Sequence, residues 1–168
     1  VTYDGDSHKV EGYKAASESG LFDEKFVNYT GDTEVSGTIA GTYPMNLTAE
    51  KFSYTDPNVN ATFNVTDGGL TIDKADMTIS ITGKQETVAF NWDWHTLSGY
   101  TAECVTKGFD PDKIVLAEGK DSVRGWGVVL SPYFMGLKAS DFSYDDKSVN
   151  ATFKIEKDGC LTITLAQM

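Results

Sequence analysis

Hydrophobic and polar residues alternate in short runs along the chain. The clearest runs are Ala61–Val65, Leu70–Ile72 and Thr78–Ile81, in which every second residue is apolar. A period of two places the apolar side chains on one face of a β-strand. The helical period is not sustained over any comparable stretch, so the pattern predicts an all-β protein.

Turn signals separate these runs. Because glycine adopts positive φ at little cost, each Xaa-Gly pair predicts a tight turn between strands. Several short strands separated by such turns are typical of a β-sandwich. Residues 47–52 and 137–142 are the exception, since each could form one helical turn. The predicted turns are Asp4-Gly5, Thr30-Gly31, Asp67-Gly68, Thr82-Gly83, Glu118-Gly119 and Asp158-Gly159.

The chain contains an internal repeat. Residues 43–63 align without a gap on 133–153, and both segments contain the sequences FSY and VNATF. Such self-similarity indicates two copies of one module. We therefore predict two tandem immunoglobulin-like β-sandwich domains, 1–75 and 76–168, joined by a short linker, and a loop insertion near 89–97 in the second. Further matches join 12–23 to 99–110 and 70–72 to 161–163.

The first copy opens with Tyr3-Asp4-Gly5 and closes with Val65-x-x-Gly68-x-Leu70-x-Ile72. With these two features it resembles the bacterial immunoglobulin-like repeats of the MBG or YDG type, which occur in tandem in large adhesin-like surface proteins. The second copy departs from the signature, because Ile81-Thr82-Gly83 stands at its opening. The resemblance implies a non-catalytic extracellular stalk or adhesin module. Because the chain begins at Val1 rather than Met and shows no signal-peptide pattern, we expect targeting and anchor elements to lie outside this segment.

Composition excludes several classes of partner. Hydrophobic residues make up 40% of the 168 residues and charged residues 23%, which is enough to build folded cores. The net charge of −11 disfavours nucleic acid and anionic membranes, which require clustered Lys and Arg. No apolar stretch is long enough for membrane insertion. We expect a monomer whose nearest partners are neighbouring domains of the same chain.

The candidate chemistry does not indicate an enzyme. The only histidines, His8 and His95, lie in no metal-binding or hydrolase motif. Acidic residues cluster at 4–6, 110–112 and 141–146 without the spacing of a calcium-binding loop. We therefore predict no cofactor and no catalytic residues, and keep calcium as the alternative for the acidic turns.

All three tryptophans belong to the second copy. Trp92 and Trp94 are two residues apart, and strand alternation predicts that they share a face. If exposed, they and Trp126 would offer flat apolar rings for a glycan or a host or matrix protein, with His95 available for hydrogen bonding. If buried, they belong to a sandwich core. Both alternatives remain open at this point.

Both cysteines, Cys104 and Cys160, also belong to the second copy. An extracellular location favours a disulfide between them. Two separate buried thiols are the alternative, because the sequence does not fix the distance between their Cα atoms.

Overall fold

The computed structural model describes residues Val1–Gln167 and is all-β, which confirms the predicted class. The chain divides into two compact units, Val1–Asp73 and Lys74–Met168. The division lies two residues before the boundary that we predicted from the repeat. The finer assignment to immunoglobulin-like sandwiches stays a prediction.

The first unit contains three antiparallel strand pairs. They are β1 with β3, β2 with β5, and β4 with β6. A parallel bridge between Thr2 and Asp73 joins the beginning of the unit to its end. Leu70 and Ile72 of β6 are buried with Tyr3 in the core. The strands are β1 (His8–Glu11), β2 (Val27–Tyr29), β3 (Glu34–Gly37), β4 (Gly41–Pro44), β5 (Phe52–Tyr54) and β6 (Gly69–Ile72).

The second unit has ten strands in its described part. They are β7 (Ala75–Gly83), β8 (Gln85–Ala89), β9 (His95–Ser98), β10 (Tyr100–Glu103), β11 (Ile114–Leu116), β12 (Ser122–Gly125), β13 (Tyr133–Phe134), β14 (Phe142–Tyr144), β15 (Val149–Lys157) and β16 (Cys160–Thr164). Two three-stranded sheets have the orders β10-β7-β15 and β13-β16-β8, and β9 pairs with β12 and β11 with β14. The β7–β15 and β8–β16 pairs are parallel, and the others are antiparallel.

Strand β7 supplies much of the core of the second unit. Met77, Ile79 and Ile81 alternate with exposed or half-buried polar residues and are almost completely buried. Full burial of one such side chain stabilises a fold by roughly 1.5–3 kcal/mol. A further cluster forms around Leu97 and Leu161, against which Val88, Phe90 and other apolar side chains pack. The alternation that predicted a strand at 78–81 therefore marks a strand that is central to its unit.

Within residues 1–167, four short 3-10 helices precede strands at equivalent places in the two units. They are Glu24–Phe26, Ala49–Lys51, Pro111–Lys113 and Ala139–Asp141. The helical turns predicted within 47–52 and 137–142 are confirmed. Asp23 and Asp110 cap the N-terminus of the first helix of each unit, and the side chain of each accepts a hydrogen bond from the backbone N–H two residues later.

The predicted loop insertion near 89–97 is wrong. In the parallel pairs, Thr2 lies opposite Asp73 and Ala89 lies opposite Thr164, so Ala89 is the counterpart of Thr2. The histidines that begin β1 and β9 then coincide, and residues 89–97 correspond one for one to 2–10. The error came from taking Ile81-Thr82-Gly83 as the counterpart of the opening Tyr3-Asp4-Gly5, because Gly83 ends strand β7 rather than beginning the module. The additional residues of the second unit precede Val88 and form β7.

The predicted strand at Ala61–Val65 is also absent from the structure. Its counterpart is β15, which pairs with β7 along its length. The described part of the first unit has no strand equivalent to β7. The alternating sequence therefore has no partner with which to form a ladder, and an unpaired segment is not a strand.

Candidate functional site

The turn between β8 and β9 is built around Asn91. Its side-chain oxygen accepts a hydrogen bond from the Asp93 backbone N–H at 3.0 Å and lies 2.9 Å from His95 Nε2. The first unit has the same arrangement, in which Asp4 contacts the Asp6 backbone at 3.1 Å and His8 Nε2 at 2.9 Å. A side chain that bonds the backbone two residues later stabilises a turn. His95 is thus part of a repeated structural turn.

Trp92 lies in this turn and has positive φ, at 69°. Its side chain is 77% exposed. The ring meets Phe90 edge-on at a centroid distance of 4.9 Å and Trp126 at 6.3 Å. Phe90 and Trp126 are also in edge contact, at 5.6 Å. We call Phe90, Trp92 and Trp126 the aromatic cluster.

A hydrogen bond fixes the aromatic cluster to the backbone. Trp126 Nε1 donates to the Trp92 carbonyl at 3.3 Å. Phe90 packs against the core around Leu97 and Leu161, which anchors the cluster from below. Two aromatic rings are therefore presented at the surface with restricted freedom, and this reduces the entropy lost when a ligand binds.

Trp94 belongs to a separate contact. Its ring is 59% exposed and lies 4.4 Å from the guanidinium carbon of Arg124 on β12. This distance is within the range of a cation–π interaction. Because positive φ at Trp92 interrupts the extended backbone, strand alternation does not apply across that residue. The structure brings Trp92 together with Trp126, and Trp94 together with Arg124.

The exposed alternative for the tryptophans is the one that the structure supports. Trp126 is the least exposed of the three and still 41% accessible. Other apolar side chains of the second unit are also strongly exposed, namely Val129, Leu130, Phe134 and Leu165. Exposed apolar side chains that are in contact with one another, as in the aromatic cluster, mark interaction surfaces.

Sequence reasoning missed Phe90 and Arg124. Arg124 lies opposite Thr96 in the β9–β12 pair, so Trp94 is its diagonal neighbour across the strands. Such diagonal pairs are within reach of long side chains. The register of β9 and β12 would have identified Arg124, but the internal repeat does not determine that register.

The disulfide that the sequence left open between the two cysteines is not formed. Cys104 and Cys160 are both free and half-buried. Cys104 directly follows β10, which pairs with β7, whereas Cys160 begins β16 in the sheet with β8 and β13. Cys104 thus lies just beyond the end of one sheet and Cys160 lies within another, so the two thiols are separate, and both are half-buried rather than buried.

The carboxylates of the acidic turns accept hydrogen bonds from neighbouring groups of the protein. Asp146 contacts Lys113 Nζ at 2.6 Å and accepts from the Ser148 backbone at 2.8 Å. Asp110 accepts from the Asp112 backbone N–H at 3.0 Å. Among the described residues, no three His, Cys, Asp or Glu side chains converge as metal ligands would. The carboxylates considered for calcium therefore serve the turns in which they lie.

None of the helices within residues 1–167 has the length and apolar character to cross a bilayer. No family model matches this sequence, and no curated protein and no solved structure matches it.

Proposed function

We propose that this chain is a non-catalytic, tension-bearing segment of a larger bacterial surface protein, acting as a stalk or scaffold and working as a monomer. The observation that carries the proposal is the parallel pairing of early and late strands within a unit. In the second unit β7 pairs with β15 and β8 with β16. In the first unit the parallel bridge from Thr2 to Asp73 has the same arrangement.

Parallel pairing has a direct mechanical consequence. When two strands run parallel, the beginning of one and the end of the other lie at opposite ends of the pair. Tension applied there acts along the strands and loads all their hydrogen bonds together. In an antiparallel hairpin pulled at its open end, the bonds break one after another. Parallel terminal strands therefore suit a module that transmits force between its two ends.

Several features support a structural rather than a catalytic role. The two histidines are engaged in equivalent turns of the two units. The resemblance of the first copy to tandem surface repeats agrees with this role and with an extracellular location. The acidic composition also suits a soluble surface segment, since net charge opposes association.

Single-molecule force spectroscopy tests the mechanical proposal. The full chain would be held between marker domains, and the second unit loaded through its two ends. We expect a distinct unfolding event at a force well above that needed in the control below. Unfolding at equally low force in both geometries would overturn the proposal.

The control loads the same unit across an antiparallel pair. Handles at Asp93→Cys and Gly127→Cys, in a chain with Cys104→Ser and Cys160→Ser, pull at adjacent ends of β9 and β12, where His95 lies opposite Gly125. The hydrogen bonds should then open one at a time at low force. The same cysteine replacements are made in the end-loaded chain, so that only the direction differs.

The aromatic cluster favours a second candidate function, binding of a glycan or a host or matrix protein. Trp92 presents an exposed ring that Phe90 and Trp126 hold in place. Aromatic faces of this kind pack against the C–H groups of sugar rings. The Asp93 carboxylate lies in the same turn, where it accepts a hydrogen bond from Asn91.

A glycan array followed by titration of any hit tests this second function. We expect Trp92→Ala to weaken binding by about tenfold or more, which corresponds to roughly 1.4 kcal/mol. Val105→Ala is the matched control, because Val105 is an exposed apolar residue outside the cluster. A blank array, or equal loss in both variants, would contradict glycan binding at this cluster.

A further inference from the structure

A groove in the first unit occupies the place that β7 fills in the second. The two units can be compared there because they share a set of aromatic contacts. Tyr13 meets Phe52 edge-on at 5.1 Å, and Tyr100 meets Phe142 at 5.2 Å. Phe52 stacks on Phe63 at 5.4 Å, and Phe142 on Phe153 at 5.5 Å. Residues 13–16 therefore correspond to β10, and residues 59–66 to the greater part of β15.

In the second unit, β7 lies between these two strands. It is antiparallel to β10, where Ala102 lies opposite Ile81, and parallel to β15, where Phe153 lies opposite Ile79. Asn150 Nδ2 on β15 also donates to Asp76 Oδ1 on β7 at 2.9 Å. Both β10 and β15 therefore have β7 as their hydrogen-bonding partner. Burial raises the pKa of Tyr100, which lies at the beginning of β10.

In the first unit, the two equivalent segments have no such partner. A groove of about 450 Å³ is lined by residues of both 13–16 and 59–66. Neither segment is a strand, and within Val1–Gln167 no backbone ladder joins either one to a neighbour. Unpaired backbone N–H and C=O groups along an extended segment are a template for strand addition.

The side chains around the groove are more exposed than their counterparts. Val149 and Phe142 are buried in the second unit, whereas Val59 and Phe52 are only half-buried in the first. Tyr13 is 36% exposed. Each of these residues is apolar or aromatic, so an apolar strand that covered them would remove their surface from water.

We propose that this groove is a strand-acceptor site, and that its occupant is an extended segment of the β7 type joined directly ahead of Val1. The occupant runs parallel to 59–66 and antiparallel to 13–16. Apolar side chains at every second position fill the groove, and a polar residue at the Asp76 position accepts a hydrogen bond from Asn60, the counterpart of Asn150.

The connection in the second unit determines how this occupant is attached. Lys84 and the first three residues of β8 connect the end of β7 to Val88, and Val88 is the counterpart of Val1 because Ala89 corresponds to Thr2. A strand ahead of Val1 reaches the groove with the same short connection. A second copy of the chain is a poorer donor, because Met77, Ile79 and Ile81 of its own β7 are almost completely buried.

This inference concerns how a unit is completed and stands independently of the mechanical proposal. Its test is an extended full chain with a copy of residues 75–87 placed ahead of Val1. Hydrogen exchange with mass spectrometry would follow peptides that cover 13–16 and 59–66. We expect exchange there to slow by about tenfold or more, as for amides that enter a stable ladder. Peptides from 149–157 report on β15 and should not change.

The matched control is the same extension with Met77→Ser, Ile79→Ser and Ile81→Ser made in the appended copy only. Equal slowing in both chains, or slowing in neither, would overturn the proposal. If the extended chain fails to fold, the 75–87 peptide is added to the unmodified chain. Saturable protection of the same amides is then expected, and no protection overturns the proposal.

Sedimentation of the unmodified chain tests whether a second copy of the chain occupies the groove instead. Protection of 59–66 that appears only at high concentration, together with a dimer mass, would assign the groove to a second copy. That result would overturn the occupant proposed here. A monomer with unprotected 59–66 is the expected outcome.

Discussion

At the scale of single residues, Gly37 and Gly125 occupy equivalent positions at which a strand passes close to an aromatic ring. A Cβ at Gly37 would lie 2.5 Å from the ring of Tyr43, and a Cβ at Gly125 would lie 2.5 Å from the ring of Tyr133. These distances are too short for any real contact, so either the ring or the strand would have to move. The repeated pair explains why both copies contain Val-x-Gly at this point.

We therefore predict that Gly125→Ala destabilises the second unit by about 1–3 kcal/mol, the usual cost of overpacking. Denaturant unfolding measures the effect through the transition midpoint. Gly127→Ala is the matched control, because a Cβ there meets nothing within 4 Å. Similar midpoints for the two variants would contradict the close approach of Tyr133.

Glu156 gives a prediction on pH dependence. Hydrogen bonds from Lys154 and then from Ser80 lower the pKa of Glu156, and the Ser80 bond connects β15 to β7. Because the pKa is lower in the folded state, the ionised carboxylate stabilises the fold above the unfolded-state pKa of about 4.3. That stabilisation is lost as the pH falls through the folded-state pKa.

The difference in unfolding midpoint between the parent chain and Glu156→Gln should therefore be largest near neutral pH and disappear in strong acid. Unfolding of both chains over this range measures the difference. Glu118→Gln is the control, since Glu118 lies in the exposed turn before β12. A difference that is constant with pH would contradict the role assigned to the carboxylate.

At the scale of elements, alternation predicted the propensity of a segment to be a strand but not its pairing. Thr78–Ile81 and Ala61–Val65 have similar patterns, yet only the first belongs to a strand in the structure. The second lacks its neighbour, and sequence periodicity contains no information on which neighbour is present. The turns at Gly5, Gly31 and Gly119 and the two helical turns were predictable because their signals are local. The turn predicted at Thr82-Gly83 is wrong, because both residues belong to strand β7.

The same contrast gives a prediction for the unmodified chain. Backbone amides of 150–155 should be protected from hydrogen exchange, whereas those of 60–65 should exchange rapidly. The reason is that β15 pairs with β7, and the equivalent segment of the first unit has no ladder. Comparable protection of the two segments would contradict the absence of a pairing partner.

The candidate site was predictable only in part. Trp92, Trp94 and Trp126 could be selected from the sequence, because all three lie in one copy. Their grouping could not, since it depends on the positive φ of Trp92 and on the β9–β12 register. The state of the two cysteines stayed open for a similar reason, because two thiols in one unit form a disulfide only if their strands bring them together.

At the scale of the whole molecule, duplication is the feature that sequence reasoning identified best. The units repeat an Asx-His turn, an aromatic stack and a capped 3-10 helix. The alignment was wrong at the start of the second unit, because it matched Gly83 to Gly5 by residue type. The strand pairing in the structure instead matches Ala89 to Thr2. In the corrected alignment the additional residues of the second unit form strand β7, and the described part of the first unit has no equivalent strand.

The two units should consequently differ in mechanical strength. The parallel pairing of the first unit is an isolated bridge, whereas the second has two extended parallel pairs. End-to-end stretching of the unmodified chain, with the two events assigned by the length of polypeptide released, tests this most directly. We predict that the first unit unfolds at low force and the second at clearly higher force. A second unit that unfolds first, or at the same force, would contradict the tension-bearing role assigned to its parallel strands.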